Sequence, residues 1–484
     1  MKLKTIKLLT ITLFLSTASA VVAQSQDSLF IDLNTALEIA LSENPTVKVA
    51  DMEIAKKEYA KKSAYGALLP QFDLIGQYQR AIERQTVYFD EGMGKMFGGG
   101  GIDPTQYTPE ELFVMQTVGK MFAPDPEASQ EGIQMGRLNM YTAGVNVSMP
   151  LVVPSLWKNI QMSKVDIELA MEKARSSRIE LTNQIKKMFY SLLLAQDSHE
   201  VFKKTYTNDS LNLENIRSRF NQGVVAEYDV ITADVRLKSL IPSILQSENM
   251  MKIAELQLKM LMGIDSETPL KVIGSLDDYR DVMFDIIVPA DTSLTHNSDM
   301  KQFDLQAQMV QKAYEMQKLQ FAPSLVTSFN YMYMSQNNNF KFKNYRWDPY
   351  STIGISLAIP LFNGGQRYHN LKQSEIQLYQ LSEQRKNVER GLKLAVKNNY
   401  DLMTKSMEQV VASESAVQQA RKGYEITQKR YETGIGTIVE VNSAALAVTA
   451  AELQYRNAIY DFLSAKSDME KVIGYDIEPV QKVN

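Results

Sequence analysis

Hydrophobic positions along the chain follow two different periods. From about Leu156 to Asn221, the residues Leu181, Ile185, Met188, Leu192, Ala195, Phe202, Tyr206, Leu213, Ile216 and Phe220 are spaced by threes, fours and sevens, the seam of a coiled coil. Val396, Tyr400, Met403, Met407, Val410, Val417, Tyr424 and Tyr431 repeat that seam in the second half. No proline interrupts either run, so each predicts one helix of about 65 residues, or about 100 Å at 1.5 Å per residue. Each seam ends at a glycine, Gly223 or Gly434, and a return helix is expected beyond it, at about Glu227–Met262 and Ile438–Ile473. Shorter helices are expected at about Asn34–Ala67 and Ser298–Phe321.

Four other segments change to a period of two. Phe72, Leu74, Gly76 and Tyr78 alternate with Gln71, Asp73, Ile75 and Gln77, and Tyr141, Ala143, Val145, Val147 and Met149 alternate with small or polar residues. Leu325, Thr327, Phe329, Tyr331 and Tyr333 form a third series, and Ile353, Ile355, Leu357 and Ile359 a fourth. Strands are therefore predicted at about 70–80, 139–150, 323–334 and 351–360. Their length and single apolar face fit membrane-barrel strands; a soluble sheet with one buried face is the alternative. Four strands cannot close a barrel and open edges are not viable in lipid, so other copies must complete the sheet. Two copies would give eight strands with a largely filled interior, and three would give twelve with a pore.

The halves also match residue by residue. Arg219-Phe220-Asn221-Gln222-Gly223 returns as Arg430-Tyr431-Glu432-Thr433-Gly434, Asp229-Val230 as Glu440-Val441, Ala233 as Ala444 and Gly263 as Gly474, about 211 positions later. Upstream, Asn44-Pro45 matches Asn297-Ser298 and Leu69-Pro70 matches Ala322-Pro323 at an offset of about 253. Met149-Pro150 matches Ile359-Pro360 at about 210, so the first copy of a duplicated unit carries about 43 extra residues, mostly loop. That loop, about Ala81–Arg137, contains Gly98 to Gly101 and an amphipathic stretch from Glu110 to Phe122; its counterpart, about Ser335–Pro349, is short and Asn-rich.

The amino terminus adds a location. Lys2, Lys4 and Lys7 precede an apolar run from Leu8 that ends in small residues at Ala20 or Ala23, the pattern of a cleaved secretory signal. A membrane anchor is the alternative, but the run is short and lacks a stop-transfer flank. The expected organisation is a signal peptide over 1–23, a first repeat over 24–263 with its coil at 156–262, a linking segment over 264–296, a second repeat over 297–474 with its coil at 364–473, and a tail over 475–484. Linker and tail are expected to pack as a belt around the helices. No later stretch reads as a transmembrane helix, so a membrane crossing would use strands.

Composition removes several classes of function. The 484 residues include no cysteine and only His199, His296 and His369, which leaves no disulfide framework, no zinc cluster and no cofactor to expect. The net charge of −4 comes without a basic block, which argues against a nucleic-acid partner. Gly92-Met93-Gly94-Lys95 lacks the spacing of a phosphate loop, and His199 in the seam reads as a packed coil residue. Of 25 methionines, Met93, Met96, Met115, Met121 and Met135 fall in the first loop; adaptable packing is the favoured reading and a route for soft metals the other. No catalytic cluster is visible, so an enzyme is not expected.

Together the leader, the paired long helices, the strand pairs and the twice-used Arg-aromatic-x-x-Gly-(x5)-acid-Val-x-x-Ala element resemble the TolC family of outer-membrane efflux proteins, over essentially the whole mature chain. The resemblance implies a mainly α fold with a transmembrane β part: a homotrimer with four strands per protomer in a twelve-stranded barrel in outer-membrane lipid, continued by a helical coiled-coil tunnel through the periplasm. It implies an exit duct for a tripartite efflux pump or type I secretion system. The partners would be a periplasmic adaptor and an inner-membrane transporter of the RND, ABC or MFS type.

The resemblance also assigns residues. The tip turns, where the adaptor would dock, match Gly223, Val224, Gly434 and Ile435, although these glycines also serve simply to reverse the chain. The gate constriction matches Ile438 to Ala444, where Glu440 keeps one acid of the family's pair and Ser443 replaces the other. Three Glu440 carboxylates would favour cations; a solvated surface glutamate is the alternative. The gate latch matches Tyr431 and Asp229, while the family's latch arginine falls on Gly436, so a more weakly held gate is expected. A structural periplasmic coiled-coil spacer or adhesin stalk remains the alternative to a channel.

Overall fold

The computed structural model describes residues 29–87, 107–122, 133–284 and 294–474. The expected signal peptide, the tail, Gly92-Met93-Gly94-Lys95, Met96 and Gly98 to Gly101 lie outside them. The strands are β1 (Leu29–Ile31), β2 (Gln71–Arg80), β3 (Gln85–Val87), β4 (Ile133–Met135), β5 (Asn139–Val152), β6 (Leu270–Val272), β7 (Ser324–Asn337) and β8 (Asp348–Ala358). The protein is otherwise mostly helical. Its chain forms two compact units, one of residues 57–166 and 307–380, the other of the remaining segments.

In the first unit β2, β5, β7 and β8 make one antiparallel sheet in the order β2-β5-β7-β8. The register opposes Phe72 to Val147 and Leu74 to Val145, and continues from Val147 to Phe329 and from Phe329 to Ile353. One face is therefore apolar. On the other, Asp73 opposes Asn146, Asn146 opposes Asn330, and Asn330 opposes Thr352. Both outer strands, β2 and β8, are exposed at every position. Pro349 sits in β8, where a missing N–H is tolerated because the strand lies at an edge.

The second unit holds the parts of the chain that include the two hairpin tips. The first long helix spans Pro154–Asn221 and its return helix Glu227–Met262; the second pair spans Gln366–Glu432 and Ile438–Ile473. Pro154 opens the first at a position where its missing N–H costs nothing. Of the seam residues, Ile185, Leu192, Ile216 and Val410 are buried, whereas Phe220 and Tyr400 are exposed.

Leu276 and Met283 of the linking segment are buried in the same core as Phe189, Leu258 and Phe462. The segment is tied down twice more. β6 pairs in parallel with β1, and buried Asp197 on the long helix accepts from the Leu276 N–H at 3.1 Å and from Arg456 at 2.7 Å.

Two local features differ from expectation. The helix expected over 34–67 is two, Leu33–Glu43 and Pro45–Gly66. Asn44 between them is extended, because a residue before proline is pushed out of the helical region. The first return helix, in contrast, covers the expected Glu227–Met262 with Pro242 inside it. The first loop carries its own small hairpin, β3 with β4, and a helix at Pro109–Phe122.

Candidate functional site

The two hairpin tips are built alike. In the first, Gly223 has φ 75° and Val224 N–H donates to the Arg219 carbonyl at 2.9 Å; in the second, Gly434 has φ 76° and Ile435 N–H donates to the Arg430 carbonyl at 2.9 Å. This is a left-handed helix cap, a conformation that favours glycine. Val224 and Ile435 are 60% and 74% exposed, so each tip presents an apolar residue to its surroundings.

Behind the tips, Leu213, Ile216, Ala233, Tyr431, Ile438 and Val441 form one buried cluster drawn from both hairpins. Tyr431 is its polar member. Its hydroxyl donates to Asp229 Oδ2 at 3.4 Å, a stretched bond beside the usual 2.5–3.0 Å for such pairs. Burial first, and the neighbouring Asp229 second, push the Tyr431 hydroxyl up to about 12, with Arg219 opposing. Arg219 lies over the Tyr431 ring at 5.3 Å and donates to the Glu432 carbonyl at 3.3 Å. Tyr431 and Asp229 are thus brought together, with Arg219 as a third partner.

Glu440 and Ser443 are both exposed, three positions apart on the second return helix. Glu440 Oε2 accepts from the Thr437 N–H at 3.2 Å, and Thr437 Oγ1 accepts from the Glu440 N–H at 3.3 Å. This capping box starts the helix and fixes where the carboxylate stands. A Cβ at Gly436 would sit 3.1 Å from the Tyr431 nitrogen and 3.2 Å from Glu440 Oε2, so a long side chain there would crowd the turn.

Sequence reasoning missed a second tie between the hairpins. Arg236, on the first return helix, donates from Nε to Asp209 Oδ2 at 2.8 Å and from Nη1 to the Asn442 carbonyl at 2.7 Å. The pair is nearly dry, with side chains 14% and 6% exposed. Burial raises the Asp209 carboxyl above its ordinary value, against the pull of Arg236. The signal was present: Asp209 and Arg236 are nearly equidistant from Gly223 on the two arms of the hairpin. The Thr437-x-x-Glu440 box was equally legible.

His199 Nδ1 lies 3.0 Å from Ser247 Oγ. Among the described residues no group of three or more His, Asp or Glu could hold a metal ion, and no helix is long and apolar enough to cross a membrane.

The family model described as outer membrane efflux protein matches residues 36–264 and 290–475. The chain belongs to this family. Among curated relatives, the outer membrane protein TolC of Vibrio cholerae is 23% identical over 343 residues, covering 69% of this chain and 77% of its own. The alkaline protease secretion protein AprF of Pseudomonas aeruginosa is 21% identical over 334 residues, covering 67% and 68%. The fold also matches the outer membrane channel CmeC of Campylobacter jejuni, with TM-score 0.69 and 16% identity over 91% of this chain and 85% of that one. For VceC of Vibrio cholerae the TM-score is 0.66 at 15% identity, over 91% and 96%. The protein is accordingly an outer-membrane efflux channel of the TolC family, a family of channels and not of enzymes.

Proposed function

We propose that three copies of this chain form a channel-tunnel, the exit duct of a tripartite efflux pump or type I secretion system. The observation that carries this reading is the four-stranded sheet with one apolar face and two unpaired outer strands. Joining β8 of one copy to β2 of the next would satisfy both edges, turn the apolar face to lipid and close twelve strands around a polar lumen. The two halves, residues 24–263 and 297–474, would each contribute two strands and one helical hairpin, and the hairpins would form the periplasmic tunnel.

The tips would serve as gate and docking point. Glu440 from three copies would ring the constriction and favour cations, with Ser443 contributing no charge one turn further along. Tyr431 with Asp229, reinforced by Arg236, which Asp209 holds against the Asn442 carbonyl of the other hairpin, would hold the hairpins closed. An adaptor protein would seat on Gly223, Val224, Gly434 and Ile435, and an inner-membrane transporter would supply the energy.

Single-channel conductance in a planar bilayer tests this, with wild type compared to Glu440→Gln, which removes the charge and keeps a residue able to complete the capping box. A small cation-selective conductance that loses selectivity in the variant is expected. No conductance from either protein, once each is known to be trimeric and inserted, would overturn the duct.

A further inference from the structure

Resting on the barrel reading above, we propose that the outer end of the apolar sheet face is a headgroup site for the phosphorylated glycolipid of the outer leaflet. The register places Tyr78 and Arg80 of β2, and Asn139 and Tyr141 of β5, on the same face as Phe72, Leu74, Val145 and Val147. They lie at the end of the sheet opposite to that where the strands join the helices.

The loop between β7 and β8 is folded onto this end. The Tyr141 ring stacks on Tyr78 at 4.7 Å and meets Phe342 at 5.5 Å, Tyr345 at 5.4 Å and Trp347 at 6.5 Å. Tyr345 is buried by this packing, yet Phe340, Phe342 and Trp347 stay 53%, 59% and 43% exposed. Rings left half-open beside a lipid-facing surface suit the membrane interface, where an amphipathic environment covers them.

The same packing fixes a set of cations beside the rings. The Arg80 guanidinium lies over Phe340 at 5.2 Å. Lys341 and Lys343 are exposed and have no ion-pair partner among the described residues. Arg346 pairs with Asp348 at 2.8 Å, but both side chains are largely in water, 88% and 63% exposed, where such a pair is weak. Four cations against one carboxylate make this rim basic in a chain whose net charge is −4. Beneath the rings, Asn139 Nδ2 and Ser335 Oγ are buried without hydrogen-bond partners.

Exposed rings for sugar and acyl groups, with cations at the depth of phosphate, match a phosphorylated glycolipid better than a neutral lipid or an apolar protein face.

The test uses the full chain purified as a trimer in detergent. Bis-phosphorylated lipid A and a phosphate-free analogue are titrated, with binding read by native mass spectrometry and with inorganic phosphate as competitor. Wild type is compared with the Lys341→Gln, Lys343→Gln, Arg346→Gln triple variant and with the charge-keeping Lys341→Arg, Lys343→Arg variant. The expected result is tight binding of the phosphorylated lipid, weaker by on the order of 100-fold in the triple variant and retained in the charge-keeping one. Equal binding by all three proteins, equal binding of the phosphate-free lipid, or displacement by millimolar phosphate would each overturn the site. Loss of the heat-modifiable trimer in wild type would instead sink the barrel reading, and the site with it.

Discussion

Asn44 and Asn297 hold the same station in the two halves of the chain. Asn44 Nδ2 donates to the Leu261 carbonyl at 2.7 Å, and Asn297 Nδ2 to the Val472 carbonyl at 2.7 Å. Each accepting carbonyl lies two residues before the glycine that ends a return helix, Gly263 or Gly474. Each amide oxygen in turn accepts a backbone N–H at the start of the next helix, from Thr46 at 2.7 Å and from Met300 at 2.9 Å. One side chain therefore closes one helix and opens another. Replacing either by alanine should cost about 1–2 kcal/mol, the sum of a lost cap and an unpaired carbonyl, read as a lower denaturant midpoint. A shift indistinguishable from zero in both variants would show that water replaces the amide at no cost.

The glycines at the ends of the return helices differ from those at the tips, although all have positive φ. A Cβ at Gly434 meets nothing within 4 Å, so alanine there suffers only from its backbone conformation, about 1 kcal/mol. At Gly474 a Cβ would lie 2.3 Å from the His296 carbonyl oxygen, a backbone atom held in place by Arg175 at 3.1 Å. Gly474→Ala should therefore lower the melting temperature several times more than Gly434→Ala. Similar shifts would mean that the His296 turn moves aside freely.

Much of this was legible in the sequence because it rests on periodicity. The seam from Leu181 to Ile216 and the alternation from Phe72 to Tyr78 reflect one-sided burial, which propagates over many residues and survives local irregularity. What was not legible depends on single events. Asn44 breaks a helix because Pro45 follows, yet proline is also a normal first helical residue, so the pattern alone fits either. At the site, Tyr431 and Asp229 were reached through resemblance. The Arg236 to Asn442 link joins residues 206 positions apart and emerges only when two hairpins pack.

At the tip the two ties should differ in strength. Tyr431→Phe removes one stretched hydrogen bond and leaves the ring in its cluster, a loss of about 0.5–1 kcal/mol. Arg236→Gln leaves the Asp209 carboxylate buried without its charge partner, at about 3 kcal/mol. If both ties hold the gate, single-channel recordings should show a modest rise in conductance or open time for the first variant and a larger one for the second. The reverse order would assign the latch to Tyr431 and leave Arg236 a purely structural role.

Acid should loosen the Arg236 tie. Burial holds the Asp209 carboxyl above its ordinary 3.8, so on acidification it takes up a proton before an exposed aspartate does. The sign for folding and the sign for the latch are opposite. A raised pKa means that the folded tip binds the proton more tightly, so this group adds folding stability below 3.8 and loses that contribution as pH rises through the folded value. The ion pair, in contrast, exists only above the folded value and disappears as pH falls through it. Conductance of wild type should thus step upward at a pH above 3.8. Asp209→Asn should begin with the higher conductance at neutral pH and lack the step, while Tyr424 and Tyr431, both raised from ordinary tyrosine values, stay neutral throughout. The rest of the tip is the same in both proteins, so only the difference between the two profiles reports on Asp209. An identical step in both would place the acid response elsewhere in the tip.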